Sequence, residues 1–410
     1  MPRLIRDTLS VLLLATASLA PVAHAANPQV DALVESANEA KKAGKIDVAI
    51  STLKTAVSLD PRHEGALVAL GRAYGVKQDY DAAEKTFLDL LTKVPKSLSG
   101  HRFLALTYLR RGNPTKALDY TQKAIALNPK DWESHHLLAE VQLAAGAYDK
   151  AVAAEQAVLG LDKGNVEAMR GLMVIYRLQK KYDLAITQAQ AVLKSNKNDL
   201  ATELQIAALY AEKGDMKKSK KTLADIEKRA SGSAATLENV AAAYATLGAG
   251  DDALRLYKKL VEKDPKNPVV QLALGTLYLL KNQPDVALKH ATAAQTLAPK
   301  SAEPLRILGA IAGAKGDMKG AETYFRKALA AEPKRPDLKL ALASVLAETG
   351  RLDDAITEFE AVRKQAPQAQ ELLQPLCQLY RQKADKSRGK DVCLAACKAA
   401  GVKPEECAVP

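Results

Sequence analysis

A small residue one turn into a helix, with an acidic or polar residue before it, recurs at Ala49, Ala83, Ala117, Ala151, Ala185, Ser219, Ala253, Ala287, Ala321 and Ala355. Every interval is 34 residues. A second mark, a proline that stops a helix, stands 12 residues after seven of those positions, at Pro61, Pro95, Pro129, Pro265, Pro299, Pro333 and Pro367. Proline cannot continue a helix, because it lacks the N–H and clashes with the preceding turn. Two independent marks in one register predict ten copies of a helix–turn–helix element, with a first helix A and a second helix B packed antiparallel. One such element cannot bury its apolar face alone, so neighbours must stack. The expected fold class is all-α.

Each copy is numbered so that the small residue occupies slot 20. The second copy then reads Leu70-Gly71, Tyr74, Ala83, Phe87 and Pro95. The eighth reads Leu274-Gly275, Tyr278, Ala287 and Pro299, and the ninth Leu308-Gly309, Ala321, Phe325 and Pro333. This unit resembles the tetratricopeptide repeat. The resemblance covers about residues 30–369 as ten full repeats, with a modified eleventh repeat and C-terminal cap over 370–410. It implies a right-handed α-solenoid superhelix whose concave wall is lined by A helices, and binding of proteins rather than chemistry. Gly or Ala in slot 8 is expected to face the small slot 20. Gly44, Gly112, Gly146, Gly214, Gly316 and Gly350 are expected to supply left-handed turns between A and B. Asp47, Asp81 and Asp183 stand as cap-type residues at the start of B helices. Repeats four to six lose the proline, carrying Lys163, Lys197 and Ser231. Residues 229–233 are the one linker-like stretch, and two readings stay open: sequence drift in a continuous solenoid, or a flexible joint.

Composition agrees with close-packed helices. The chain has 410 residues, 48% of them hydrophobic but only 4% aromatic, and 74 are alanine. Alanine has the best helix propensity. A β-sandwich or barrel would need β-branched and aromatic residues instead. Four Phe and one Trp are too few for most nucleic-acid stacking platforms. The net charge of +12 favours anionic partners and also solubility.

Residues 1–25 read as a secretory signal peptide. Arg3 and Arg6 precede the apolar run Val11–Leu19, and Ala23-His24-Ala25 provides the small–x–small cleavage site. The alternative, an uncleaved anchor, has an apolar run too short to span a bilayer comfortably. A periplasmic or secreted location is expected, which argues against a nucleic-acid partner. All four cysteines, Cys377, Cys393, Cys397 and Cys407, then point to disulfides. Cys377 takes slot 8 of the eleventh repeat. Matching Asp391-Val392-Cys393 to the Asp-x-Ala of other repeats, with a four-residue insertion at 384–388, puts Cys393 opposite it in slot 20. The expected pairs are Cys377–Cys393 and, by elimination, Cys397–Cys407. The rival reading, metal or redox chemistry, lacks a Cys-x-x-Cys pair, and Cys393 and Cys397 would need two further ligands.

No phosphate loop, dinucleotide fingerprint, zinc-protease or nucleophile-elbow motif is present, so neither enzyme activity, cofactor nor metal is expected. His135 in slot 4 and Glu155 in slot 24, where Phe or Leu is usual, are expected to face each other. That is either a satisfied polar pair or a pH-sensitive or ligand-binding patch. Slots 2, 5, 9, 12 and 13 are expected to line the groove. In repeats two to five they hold Arg72, Arg102, Arg110, His136, Arg170 and Arg177, tempered by Glu133, Glu140 and Glu167. Repeats six to eight place Leu204, Ala208, Ala242, Leu272, Thr276 and Leu279 there. Arginine suits bidentate capture of carboxylates. The expected partner is therefore a protein or peptide with an acidic segment, the alternative being an anionic polysaccharide. The carboxylate clamp of chaperone-binding family members is not matched, since Val34 replaces the basic neighbour of Asn38.

Overall fold

The computed structural model describes residues 27–402 apart from 231 and 368. The expected signal peptide and Cys407 lie outside the described residues. The described chain is all-α, built of eleven successive helix pairs in the register of the sequence repeat. From pair two to pair ten every A helix has 13 residues and every B helix 14. Pair two is Glu64–Val76 with Tyr80–Lys93. The regular length follows from regular punctuation. Side-chain caps start many A helices: Ser97 Oγ accepts from Gly100 N at 2.8 Å and Asn165 Oδ1 from Ala168 N at 2.9 Å. A left-handed residue ends the turn after each A helix. It is glycine in seven pairs, but Gln78, Lys180, Asn282 and Ala384 take the same conformation with φ of 63°, 58°, 56° and 55°.

All ten small residues of slot 20 are buried, none more than 1% exposed. Slot 8 meets slot 20, as expected, where slot 24 is small: a Cβ on Gly275 would lie 3.4 Å from Ala287 O and 3.3 Å from Ala291 N. Where slot 24 is aromatic, slot 8 meets the ring instead. A Cβ added to Gly71 would lie 2.4 Å from Phe87 Cζ, and one added to Gly309 would lie 2.8 Å from Phe325 Cε1. The phenylalanine ring fills the space that glycine leaves open. Gly71→Ala is therefore expected to cost about 1–3 kcal/mol by overpacking. Gly75→Ala, one turn along the same helix with nothing within 4 Å of the new Cβ, is expected to gain about 1 kcal/mol of helix propensity. Urea unfolding of the two variants checks the opposite signs; equal shifts would show that the ring gives way freely.

The chain divides into two compact units at Asp199/Leu200. The N-terminal unit holds pairs one to five. Its consecutive pairs are linked at their edges by slot-14 residues that reach back to slot-18 carboxylates: Lys77 to Asp47 at 2.7 Å, Arg111 to Asp81 at 2.9 Å, and Gln179 to Asp149 at 2.9 Å. The C-terminal unit holds pairs six to eleven and repeats the device with Lys281–Asp251 at 2.5 Å, Lys315–Asp285 at 2.8 Å, and Lys383–Asp353. The carboxylates are largely exposed, so water screens each rung and its contribution is small. The junctions of pairs three and four, six and seven, and nine and ten carry Thr115/Ala145, Lys217/Leu247 and Lys319/Thr349 in the two slots and lack the residue types for a rung.

The last pair, Leu373–Lys383 and Lys386–Ala399, closes the C-terminal unit. Cys377 and Cys393 are joined by a disulfide, as expected, but no insertion separates them from the common register. Counted without a break, Ala384 is the left-handed residue of slot 15, Gly389 is the buried small residue of slot 20, and Cys393 occupies slot 24. The bridge thus joins slot 8 to slot 24, the pair that Gly71 and Phe87 form elsewhere. It sits in a cluster with Leu376, Leu379, Tyr380 and Val392.

Candidate functional site

The groove-facing slots of the N-terminal unit lie on the A helices of pairs two to five: Glu64–Val76, Leu98–Arg110, Trp132–Ala144 and Val166–Leu178. Three of the six basic residues expected there, Arg102, His136 and Arg170, hold acidic partners. Arg102 is only 9% exposed and is paired with Asp131 at 3.2 Å and with Glu133. Arg170 is paired with Asp199. Both bonds span 29 residues, from slot 5 of one pair to the cap position before the next A helix. Arg110 closes the A helix of pair three, and Arg177 lies exposed in the last turn of the A helix of pair five.

His136 meets Glu155, at 2.9 Å from Nδ1 to Oε1 and 3.1 Å to Oε2. The expected partner, His135, does not. Its Nε2 lies 2.9 Å from the carbonyl of Pro129, just as His101 Nε2 lies 3.0 Å from that of Pro95. Gln271, also in slot 4, donates to Pro265 O at 2.8 Å. Slot 4 points back to the preceding turn and closes it, whereas slot 5 points to the carboxylate. Glu155 is 1% exposed and lies over Gly171 of the next pair, where a Cβ would stand 2.0 Å from its Oε1. Burial alone would lower the proton affinity of His136. The carboxylates of Glu155, Glu140 and Glu167 outweigh it and raise the imidazolium pKa to about 9. Burial pushes Glu155 up, and the His136 charge opposes it.

Arg72 is different. It is half-buried over the ring of Phe103, 5.0 Å from the centroid, and among the described residues no carboxylate pairs with it. Burial and the neighbouring Arg102 charge lower its pKa. Lys41, in slot 12 of the first repeat, is lowered in the same way by burial and then by Arg72. Among the described residues its Nζ donates only to Asn38 Oδ1, at 3.3 Å. The sequence reading confined the basic groove to repeats two to five and so missed Lys41, although the same slot rule applied to repeat one finds it. A half-buried guanidinium held on a ring, with an ammonium beside it and its donors unspent, is suited to an anionic group.

In the C-terminal unit the corresponding slots are mainly apolar or small. Leu204, Ala208, Leu272, Thr276 and Leu279 are half-buried and Ala242 is exposed. Among the described residues no group of three or more His, Cys, Asp or Glu could hold a metal ion, and no helix is long and apolar enough to cross a membrane.

The cellulose synthase operon protein C of Pseudomonas fluorescens (strain SBW25) is 29% identical over 125 residues, which is 28% of this chain and 10% of that protein. The cellulose synthase 2 operon protein C of Komagataeibacter xylinus is 32% identical over 126 residues, 29% of this chain and 10% of that protein. The chain thus spans a tenth of the length of these curated relatives. Among solved structures, yeast Tom70 aligns with a TM-score of 0.50 and 14% identity over 93% of this chain and 94% of that one, a likeness of fold alone. One profile of the tetratricopeptide repeat matches residues 40–106, 244–311 and 314–379, and a second matches 104–166. With the helix pairs, their buried small slots and these profile matches, the chain belongs to the tetratricopeptide repeat family.

Proposed function

We propose that the chain is an exported, non-enzymatic scaffold that binds a protein or peptide partner along the A helices of its N-terminal unit, and that Arg72 with Lys41 takes an acidic side chain of that partner. The observation that carries this reading is the contrast between Arg72 and its neighbours. Arg102, Arg170 and His136 are neutralised by carboxylates of the chain itself, and Arg72 is not. In this reading residues 1–25 are a signal peptide and ten tandem repeats occupy 26–369, with a possible joint near 229–233. A modified eleventh repeat and disulfide-bonded cap, including a Cys397–Cys407 bridge, completes the chain. The names of the two operon proteins support a setting in the cell envelope, in assembly, secretion or exopolysaccharide export.

Fluorescence anisotropy with a labelled peptide of alternating Glu and Ser tests the site. Arg72→Glu is expected to weaken binding at least about tenfold, since a hydrogen bond to a charged group contributes about 1.5–3 kcal/mol. Unchanged affinity would sink the proposal. A second reading, direct capture of an anionic polysaccharide, uses the same guanidinium and is supported by the operon names. Stronger competition by a uronate polymer than by the peptide, at matched charge and salt, would favour it.

A further inference from the structure

Next to the His136–Glu155 pair lie two carboxylates that, among the described residues, no cation bonds directly. Glu140 stands in slot 9 of the A helix of pair four, and Glu167 in slot 2 of the A helix of pair five. Both belong to the groove-facing slots, and His136 is close enough to feel both charges. Among the described residues neither makes a hydrogen bond or an ion pair. Glu140 is only 7% exposed, and its Oε2 is buried without a partner. The local charges do not balance. His136 and Glu155 cancel each other, and Arg110 acts on Glu140 without bonding to it. Protonating Glu140 would remove the excess charge but would still leave Oε2 without a hydrogen-bond partner. A buried polar oxygen without a partner is costly to the free protein. Gly171 leaves the space that Glu155 fills, and a larger residue there would displace Glu155 and with it the imidazolium beside these carboxylates.

We propose that Glu140 and Glu167 form a receptor for one cationic side chain, a guanidinium or an ammonium, carried by the segment that lies along the A helices. A guanidinium offers five donors in a fixed fork and can bond both carboxylates at once, which an ammonium does less well. The inference rests on the reading that these helices bind a peptide. It adds a second, oppositely charged contact two helix pairs beyond Arg72, so the preferred segment carries both an acidic and a basic residue.

Three labelled peptides on the mature chain test it: alternating Arg and Ser, alternating Glu and Ser, and Gly and Ser only. The basic peptide is expected to bind more tightly than the neutral one. Glu140→Gln, which keeps the shape, and Glu167→Gln, on a half-exposed position that does not endanger folding, are each expected to weaken it at least about tenfold. Neither should change the affinity for the acidic peptide. Failure of the basic peptide to exceed the neutral one, or unchanged affinity in both variants, overturns the receptor. If the acidic peptide still binds in an Arg72-dependent way, that failure is confined to this proposal. If no charged peptide binds better than the neutral one, the groove reading falls with it.

Discussion

Replacing His136 with leucine is expected to destabilise the N-terminal unit by about 3–5 kcal/mol, the usual cost of removing one partner from a buried ion pair. Glu155 is 1% exposed and bonds the imidazole through both oxygens, so the substitution strands a carboxylate in the core. Adding Glu155→Leu should recover most of the loss, because slot 24 accepts Phe or Leu in other repeats and the whole pair is then gone. A double-mutant cycle in urea measures this; additive losses would show that the two residues do not act together. The same pair predicts a pH dependence. The His136 pKa is raised from 6.5 to about 9 in the folded chain. Its stabilisation is therefore complete below pH 6.5 and is lost as pH rises through about 9. The Glu155 and Glu140 pKa values are raised as well, which gives the same sign. The unfolding midpoint of the N-terminal unit should fall between pH 6.5 and 9, and the double leucine variant should show a flatter profile. A wild-type midpoint constant over that range would refute the assignment.

Loss of the Cys377–Cys393 bridge is expected to cost the last helix pair about 3 kcal/mol, from the loop-closure entropy of a cross-link about 15 residues long. The two cysteines lie 16 residues apart and are almost fully buried, so the bond ties the two helices of the pair directly together. Cys377→Ser/Cys393→Ser should therefore speed amide exchange over 373–399, with little effect on the N-terminal unit. Protection at wild-type levels in the double serine variant would mean that packing against Leu376, Leu379 and Val392 suffices without the bond.

The period was legible because it is written in residues that have no substitute. Only a very small side chain fits slot 20, and all ten predicted positions are buried. Direction was less legible. His135 and His136 are adjacent, and the periodic pattern does not say which of them turns to Glu155 and which to the preceding turn. The disulfide was reached through a mistaken register, since Asp391-Val392-Cys393 resembles the Asp-x-Ala signature one turn too late; Gly389 was the true small residue. The groove was legible as a set of positions but not as a charge. Arg102 and Arg170 are met by Asp131 and Asp199, 29 residues on in each case, and that spacing was the signal to look for.

The left-handed turn residues carry a longer period than the helix pairs do. Gln78, Lys180, Asn282 and Ala384, the four that are not glycine, stand 102 residues apart, and so do Ala145, Leu247 and Thr349 at the three junctions without a rung. Two unrelated marks thus share a beat three times longer than the folding repeat. The chain thus has a second period of three repeats laid over the folding repeat, and excising one such block between equivalent slots would rejoin like with like. The unit that folds has 34 residues, and the pattern of its turns and rungs repeats every 102.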